Sequence, residues 1–107
     1  MITAAEFFGG AKEVDLTSSD RSISPLEARF YRISAGTNAI KFPAGNSNSV
    51  RLGGPVFYIW NATAGSINLN TAAGALIVAL PAGNIASVGL VRPTAAGTWY
   101  VDLHAKL

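Results

Sequence analysis

The sequence predicts an all-β fold: an antiparallel sandwich of about eight strands, jelly-roll-like, behind an extended N-terminal arm. Three observations carry this expectation. A thirteen-residue phrase, Pro43 to Pro55, returns 38 positions later as Pro81 to Pro93 with eight identical positions. Repetition at such a period marks one supersecondary unit used twice. From position 28 onward, apolar residues recur at every second place, the pattern of strands with one dry and one wet face. Turn sequences punctuate these runs at intervals of roughly eight to twelve residues, the rhythm of sandwiches and barrels. Residues 28–107 hold 27 large apolar side chains, enough for one two-layer core.

Residues 1–27 differ from the rest. They sustain neither a period of two nor one of 3.6, and Phe7 and Phe8 are their only aromatics. Thr3-Ala4-Ala5-Glu6 and Ser24-Pro25-Leu26-Glu27 match the capping-box pattern, each enough for one helical turn. The segment reads as an arm, and the sandwich body as residues 28–107.

The body divides into two similar four-strand units, about 29–61 and 67–104. In the first, Phe30 and Arg32 alternate with Tyr31 and Ile33, Ile40 and Phe42 flank Lys41, and Val50 and Leu52 flank Arg51. The aromatic run Val56–Trp60 closes it. In the second, Ile67 and Leu69 alternate with Asn68 and Asn70, Ala75–Leu80 follows, and Ser87-Val88-Gly89-Leu90 repeats the third strand. Trp99, Val101 and Leu103 alternate with Tyr100, Asp102 and His104 at the end. In each Pro-Ala-Gly turn, proline presets φ near about −65° and glycine accepts a positive φ. Residues 94–97 are an insertion that distinguishes the second unit.

Val56–Trp60 and Ala75–Leu80 are apolar on both faces. A sandwich strand turns one face to the core, so a subunit, a partner or the arm must cover the other. Val56, Tyr58, Trp60 and Ile77 are therefore expected at an interface.

The net charge of +2 is unevenly spread. Residues 1–27 carry −3 and residues 28–107 carry +5, which suggests two zones with different partners. Cysteine is absent, so no disulfide or thiolate metal site is expected. The N-terminus lacks a basic segment followed by an apolar run, and no stretch approaches the ~20 apolar residues of a bilayer span. Export and membrane contact are not expected.

Chemistry-bearing constellations are missing from the sequence. His104 stands near Asp102 on a polar strand face, but no Gly-x-Ser-x-Gly elbow accompanies it. Neither a calcium loop nor a phosphate-binding glycine loop is present, so no enzyme, metal or cofactor is expected. Asn61-Ala62-Thr63 matches the short glycosylation pattern. Arg32, Lys41, Arg51 and Arg92 fall one per strand without clustering, which argues against nucleic acid. Surface aromatics leave a carbohydrate- or receptor-binding sandwich as an alternative.

Phrases such as Phe42-Pro43-Ala44-Gly45, Gly54-Pro55-Val56-Phe57-Tyr58-Ile59-Trp60-Asn61 and Gly97-Thr98-Trp99-Tyr100-Val101 give the chain a further likeness. It resembles the small accessory virion proteins of tailed bacteriophages, in particular head decoration or cement proteins. That resemblance implies a compact β body with a terminal arm, assembled in the host cytoplasm and seated on the capsid surface. It implies dimers or trimers that clamp neighbouring major capsid proteins. Phe7 and Phe8 are then expected as arm anchors, and Arg32, Arg51 and Arg92 as contacts to acidic capsid surface. Phage tail-fibre and baseplate modules share the same phrases and form the nearest alternative.

Overall fold

The computed structural model describes residues 11–46 and 56–105, and these are all-β. Nine strands run in order: β1 (Ala11–Leu16), β2 (Arg21–Ser22), β3 (Phe30–Gly36), β4 (Ile40–Lys41), β5 (Phe57–Asn61), β6 (Ile67–Asn70), β7 (Leu76–Leu80), β8 (Asn84–Arg92) and β9 (Thr98–Ala105). They form a five-stranded sheet, β1-β3-β5-β8-β9, and a four-stranded sheet, β2-β4-β6-β7. One core cluster draws from both sheets, with Tyr31, Ile33, Phe57 and Ile59 on one side and Ile40, Ile67, Leu69 and Leu80 on the other.

The sheets are mixed, not antiparallel. β1, β3 and β5 are parallel neighbours, as are β2, β4 and β6. Only β5/β8, β6/β7 and β8/β9 pair antiparallel. The first six strands alternate between the sheets, so the chain coils. Ala11 aligns with Phe30 and Phe30 with Tyr58; Arg21 aligns with Ile40 and Ile40 with Leu69. Parallel neighbours need a crossover, which a helix usually supplies. Here the opposite sheet supplies it. Alternation of apolar residues reports one buried face and is blind to strand direction, which is why the sequence pointed to an antiparallel jelly roll.

Residues 11–22 place a strand in each sheet, where an arm was expected. Val14 and Leu16 are fully buried, as is Ile23 just beyond β2. Lys12-Glu13-Val14-Asp15-Leu16 does alternate, but its three charges hide the period. The Ser24–Glu27 sequence forms a single turn, with the Glu27 and Ala28 amides donating to the Ser24 carbonyl at 3.0 and 3.2 Å. The charge split is largely spent inside the molecule: Glu13 pairs with Arg32, and Asp20 meets Lys41 at 3.9 Å.

The repeat preserves turns better than strand positions. Gly36 and Gly74, upstream of the two phrases and also 38 positions apart, both adopt positive φ, +96° and +98°. The strands leading into them, β3 and β6, lie in different sheets. Gly83 of the second Pro-Ala-Gly turn has φ +78°, whereas Gly45 of the first is not left-handed. Gly45 answers a different need. A Cβ there would lie 2.4 Å from the Thr94 carbonyl oxygen, and its amide donates to the Ala95 carbonyl at 3.1 Å. The inserted 94–97 loop is thus the seat of the first turn. The expected strand over Val50–Leu52, with Arg51, lies outside the described residues.

Candidate functional site

Among the described residues, the outward face of the five-stranded sheet carries the exposed aromatics Tyr58 and Tyr100. Phe57, Ile59, Ala86, Val88 and Leu90 point into the core, so their even- or odd-numbered neighbours must point out. Register then fixes the outward rows. One row runs Glu13, Arg32, Trp60, Ile85, His104, and the next Ala11, Phe30, Tyr58, Ser87, Asp102. Beyond them Tyr100 stands opposite Gly89. A Cβ at Gly89 would have only the Val56 Cγ2 atom nearby, at 3.9 Å, so Val56 borders the same face.

Contacts within the face are those of a flat, partly polar platform. The Phe30 and Tyr58 rings stack with centroids 6.4 Å apart. The Arg32 guanidinium sits 4.9 Å from the Trp60 ring centroid while pairing with Glu13. Such an arrangement places the guanidinium over the indole, a cation–π contact of about 1 kcal/mol. Tyr58 and Tyr100 are 43% and 57% exposed, with only the small Ser87 and Gly89 between their strands.

A second apolar surface lies at the end of the sandwich where β7 and β9, the last strands of their sheets, come together. Ile77, Val78, Trp99 and Val101 pack on the core but stay half-exposed. Leu76 and Leu103 beside them are 60% and 39% exposed. Trp99 is anchored on Phe42, with ring centroids 5.3 Å apart, and its Nε1–H donates to the Ala96 carbonyl at 3.1 Å.

Arg32, Val56, Tyr58 and Trp60 come together on the outward platform. Arg32 is engaged within the chain by Glu13 and Trp60, so it is not a bare cation awaiting an acidic partner. Ile77 belongs to the other sheet, where it is the extra residue of a bulge: Leu69 pairs with Val78, and Asn70 with Leu76. Arg92 is exposed at the end of β8, opposite Thr98. Phe7, Phe8 and Arg51 lie outside the described residues. Sequence reading did not single out Phe30 or Leu103, and took in Leu76 only as part of the two-faced run Ala75–Leu80. Phe30 and Tyr58 share a parity, but only the register of β3 against β5 makes them neighbours.

His104 Nε2 and Asp102 Oδ2 are 3.2 Å apart, both about half-exposed. No group of three or more His, Cys, Asp or Glu side chains converges among the described residues. Asp15, at the sheet edge, is held below the usual carboxylate range by hydrogen bonds from Thr17. Asn61 of the glycosylation pattern is fully buried, its side chain consumed by hydrogen bonds to Thr63, Gly65 and Leu80.

Fold and surfaces together define a two-sheet, coiled all-β domain whose distinctive features are an aromatic platform and a partly exposed apolar end. Compared with known proteins, the chain matches no family model, no curated protein and no solved structure.

Proposed function

We propose that this protein is a structural assembly module of a tailed-bacteriophage virion, a head decoration protein that stabilises the head by binding the major capsid protein. The observation that carries this reading is the apolar β7–β9 end, where Leu76, Trp99, Val101 and Leu103 remain partly uncovered. An apolar end of this kind is stabilised by burial against another chain, at about 25 cal/mol per Å². A self-assembling unit would cover these ends with its own copies. It would then present the platforms carrying Tyr58, Trp60 and Tyr100 to the capsid lattice. Many copies, each burying roughly 800 Å² per contact, tie neighbouring capsomers together without any turnover.

Co-sedimentation with empty capsids tests this. The expected result is saturable binding to heads, with a raised temperature of capsid disruption. Binding to tails and not heads would move the protein to a fibre or baseplate role. Failure to bind any particle would sink the virion reading.

A second reading, a carbohydrate- or receptor-binding sandwich, is favoured by the platform itself. Exposed tyrosines flanking the bare Ser87–Gly89 floor, with Asp102 and His104 alongside, suit stacking of a sugar ring with hydroxyls bonded at its rim. Glycan-array binding that Tyr58→Ala and Tyr100→Ala abolish would favour it over the capsid role.

A further inference from the structure

The four sheet edges are not alike. β1 carries three charges, Lys12, Glu13 and Asp15; β2 is only two residues long; β7 is interrupted by the bulge at Ile77. Charges, shortness and bulges are the ordinary means of blunting an edge. β9 has none of them to the same degree. It is an eight-residue edge strand among the described residues, without proline or lysine, and Asp102 is its only acid.

We propose that β9 pairs with β9 of a second copy of this chain, antiparallel about a two-fold axis at Val101, to form one continuous sheet of five strands from each copy. This rests on the assembly reading above and names the partner of its apolar end.

The register follows from three requirements. Directly opposed residues in an antiparallel pair share a face, so a two-fold pair sets odd-numbered residues against odd and even against even. Centring on Asp102 would oppose two carboxylates. Centring on Leu103 would leave Trp99 uncovered, and centring on Tyr100 would leave Leu103 outside the ladder. Centring on Val101 uses the strand from Thr98 to His104. It sets Trp99 against the partner's Leu103 and Val101 against its own copy, all on the half-covered inner side. On the outer side, Tyr100 meets the partner's Asp102, and its hydroxyl can donate to that carboxylate. Because Trp99 already packs on Phe42, the two cores become continuous across the join.

The absence of cysteine from the chain gives a clean test. In Val101→Cys, the two introduced residues face each other across the axis with Cα atoms about 4.5–5.5 Å apart, within disulfide range. In Leu103→Cys, the copies sit four residues apart along the strand, roughly 13 Å, and cannot bridge. The expected result is a wild-type dimer by light scattering, and oxidation that links Val101→Cys at least tenfold faster than Leu103→Cys. A wild-type monomer across the concentration series, or equal linking of the two variants, would overturn the pairing. A dimer with the wrong linking pattern defeats the β9 register and leaves the assembly reading standing. A correctly linked dimer that ignores every virion particle does the reverse.

Discussion

The side-chain amide of Asn61 donates to the main-chain carbonyl of Leu80 at 3.0 Å, joining the end of β5 in one sheet to the end of β7 in the other. The same Nδ2 donates to the Gly65 carbonyl at 2.7 Å, and Oδ1 accepts from the Thr63 amide at 3.0 Å. The Asn61 carbonyl in turn receives the Gly83 amide of the second Pro-Ala-Gly turn at 2.8 Å. One buried residue thus organises the β5–β6 loop and seats the turn that carries the chain from β7 to β8.

Asn61→Ala leaves the buried Leu80 carbonyl without its side-chain partner and removes the less buried bonds to the Gly65 carbonyl and the Thr63 amide. A buried group left unsatisfied costs about 1–3 kcal/mol, and a more exposed bond about 0.5–1.5 kcal/mol. The expected loss is about 2–3 kcal/mol in urea unfolding. Asn61→Asp should be worse at neutral pH, because a carboxylate would face two carbonyl oxygens it cannot bond. A variant within about 1 kcal/mol of wild type would show that the loop holds without this residue.

Gly36 and Gly74 share nearly the same positive φ but differ in surroundings. A Cβ at Gly36 would lie 2.0 Å from the Leu16 carbonyl carbon, whereas one at Gly74 would meet nothing within 4 Å. Gly74→Ala should therefore cost only the backbone penalty of about 1–2 kcal/mol. Gly36→Ala adds a collision with β1 main chain and should lose about 3 kcal/mol or more, or fail to fold. Equal unfolding midpoints for the two variants would refute the close approach of β1 to Gly36.

Tyr31 gives the fold an alkaline limit. Its ring is fully buried and its hydroxyl donates to the Ser24 carbonyl at 2.9 Å. Burial, ahead of the nearby Glu27 carboxylate, pushes the phenol up to about 12 from an ordinary 10.0. A folded value above the unfolded one means the neutral phenol's contribution is complete below pH 10. It is lost as pH rises toward 12, at up to about 1.4 kcal/mol per pH unit. Tyr31→Phe should be less stable than wild type by about 1 kcal/mol at pH 8, and the gap should close by pH 11. Urea titrations at both pH values check this; a gap that does not change with pH would rule out the phenol as the titrating group.

Strand content was legible in the sequence because burial on one face leaves a period of two in β3, β6 and β9. Strand partners were not. The coil that makes Ala11, Phe30 and Tyr58 neighbours depends on how each link crosses to the other sheet, and nothing in the turn residues records that. The repeated phrase misled in the same way. Upstream of it, Gly36 and Gly74 recur 38 positions apart with their conformation, yet its two Pro-Ala-Gly turns are held by unrelated contacts, one to Ala95 and one to Asn61. Of the candidate site, the outward residues of β5 could be read directly as two-faced. Their companions Phe30 and Tyr100 emerge only when register brings separate strands side by side.

The platform and the apolar end should be separable by mutation. Tyr58 and Tyr100 are exposed, and Tyr58 loses only its stacking on Phe30 when truncated, about 1 kcal/mol. The double variant Tyr58→Ala with Tyr100→Ala is expected to fold and to remain a dimer, since Trp99, Val101 and Leu103 of the β9 join are untouched and only the Tyr100 contact to the partner's Asp102 is lost. If the platform meets the capsid, co-sedimentation with empty heads should fall by at least tenfold while the oligomer persists. Undiminished capsid binding by a well-folded double variant would shift the capsid contact to another surface. Loss of glycan binding in place of capsid binding would assign the platform to a sugar ligand. Arg32→Ala offers a milder companion: removing the guanidinium from the Trp60 ring and from Glu13 should cost about 1 kcal/mol or less in stability. It should also uncover the indole face, so that any ligand stacking on Trp60 binds the variant more tightly than wild type. Weaker binding would instead make Arg32 itself a contact.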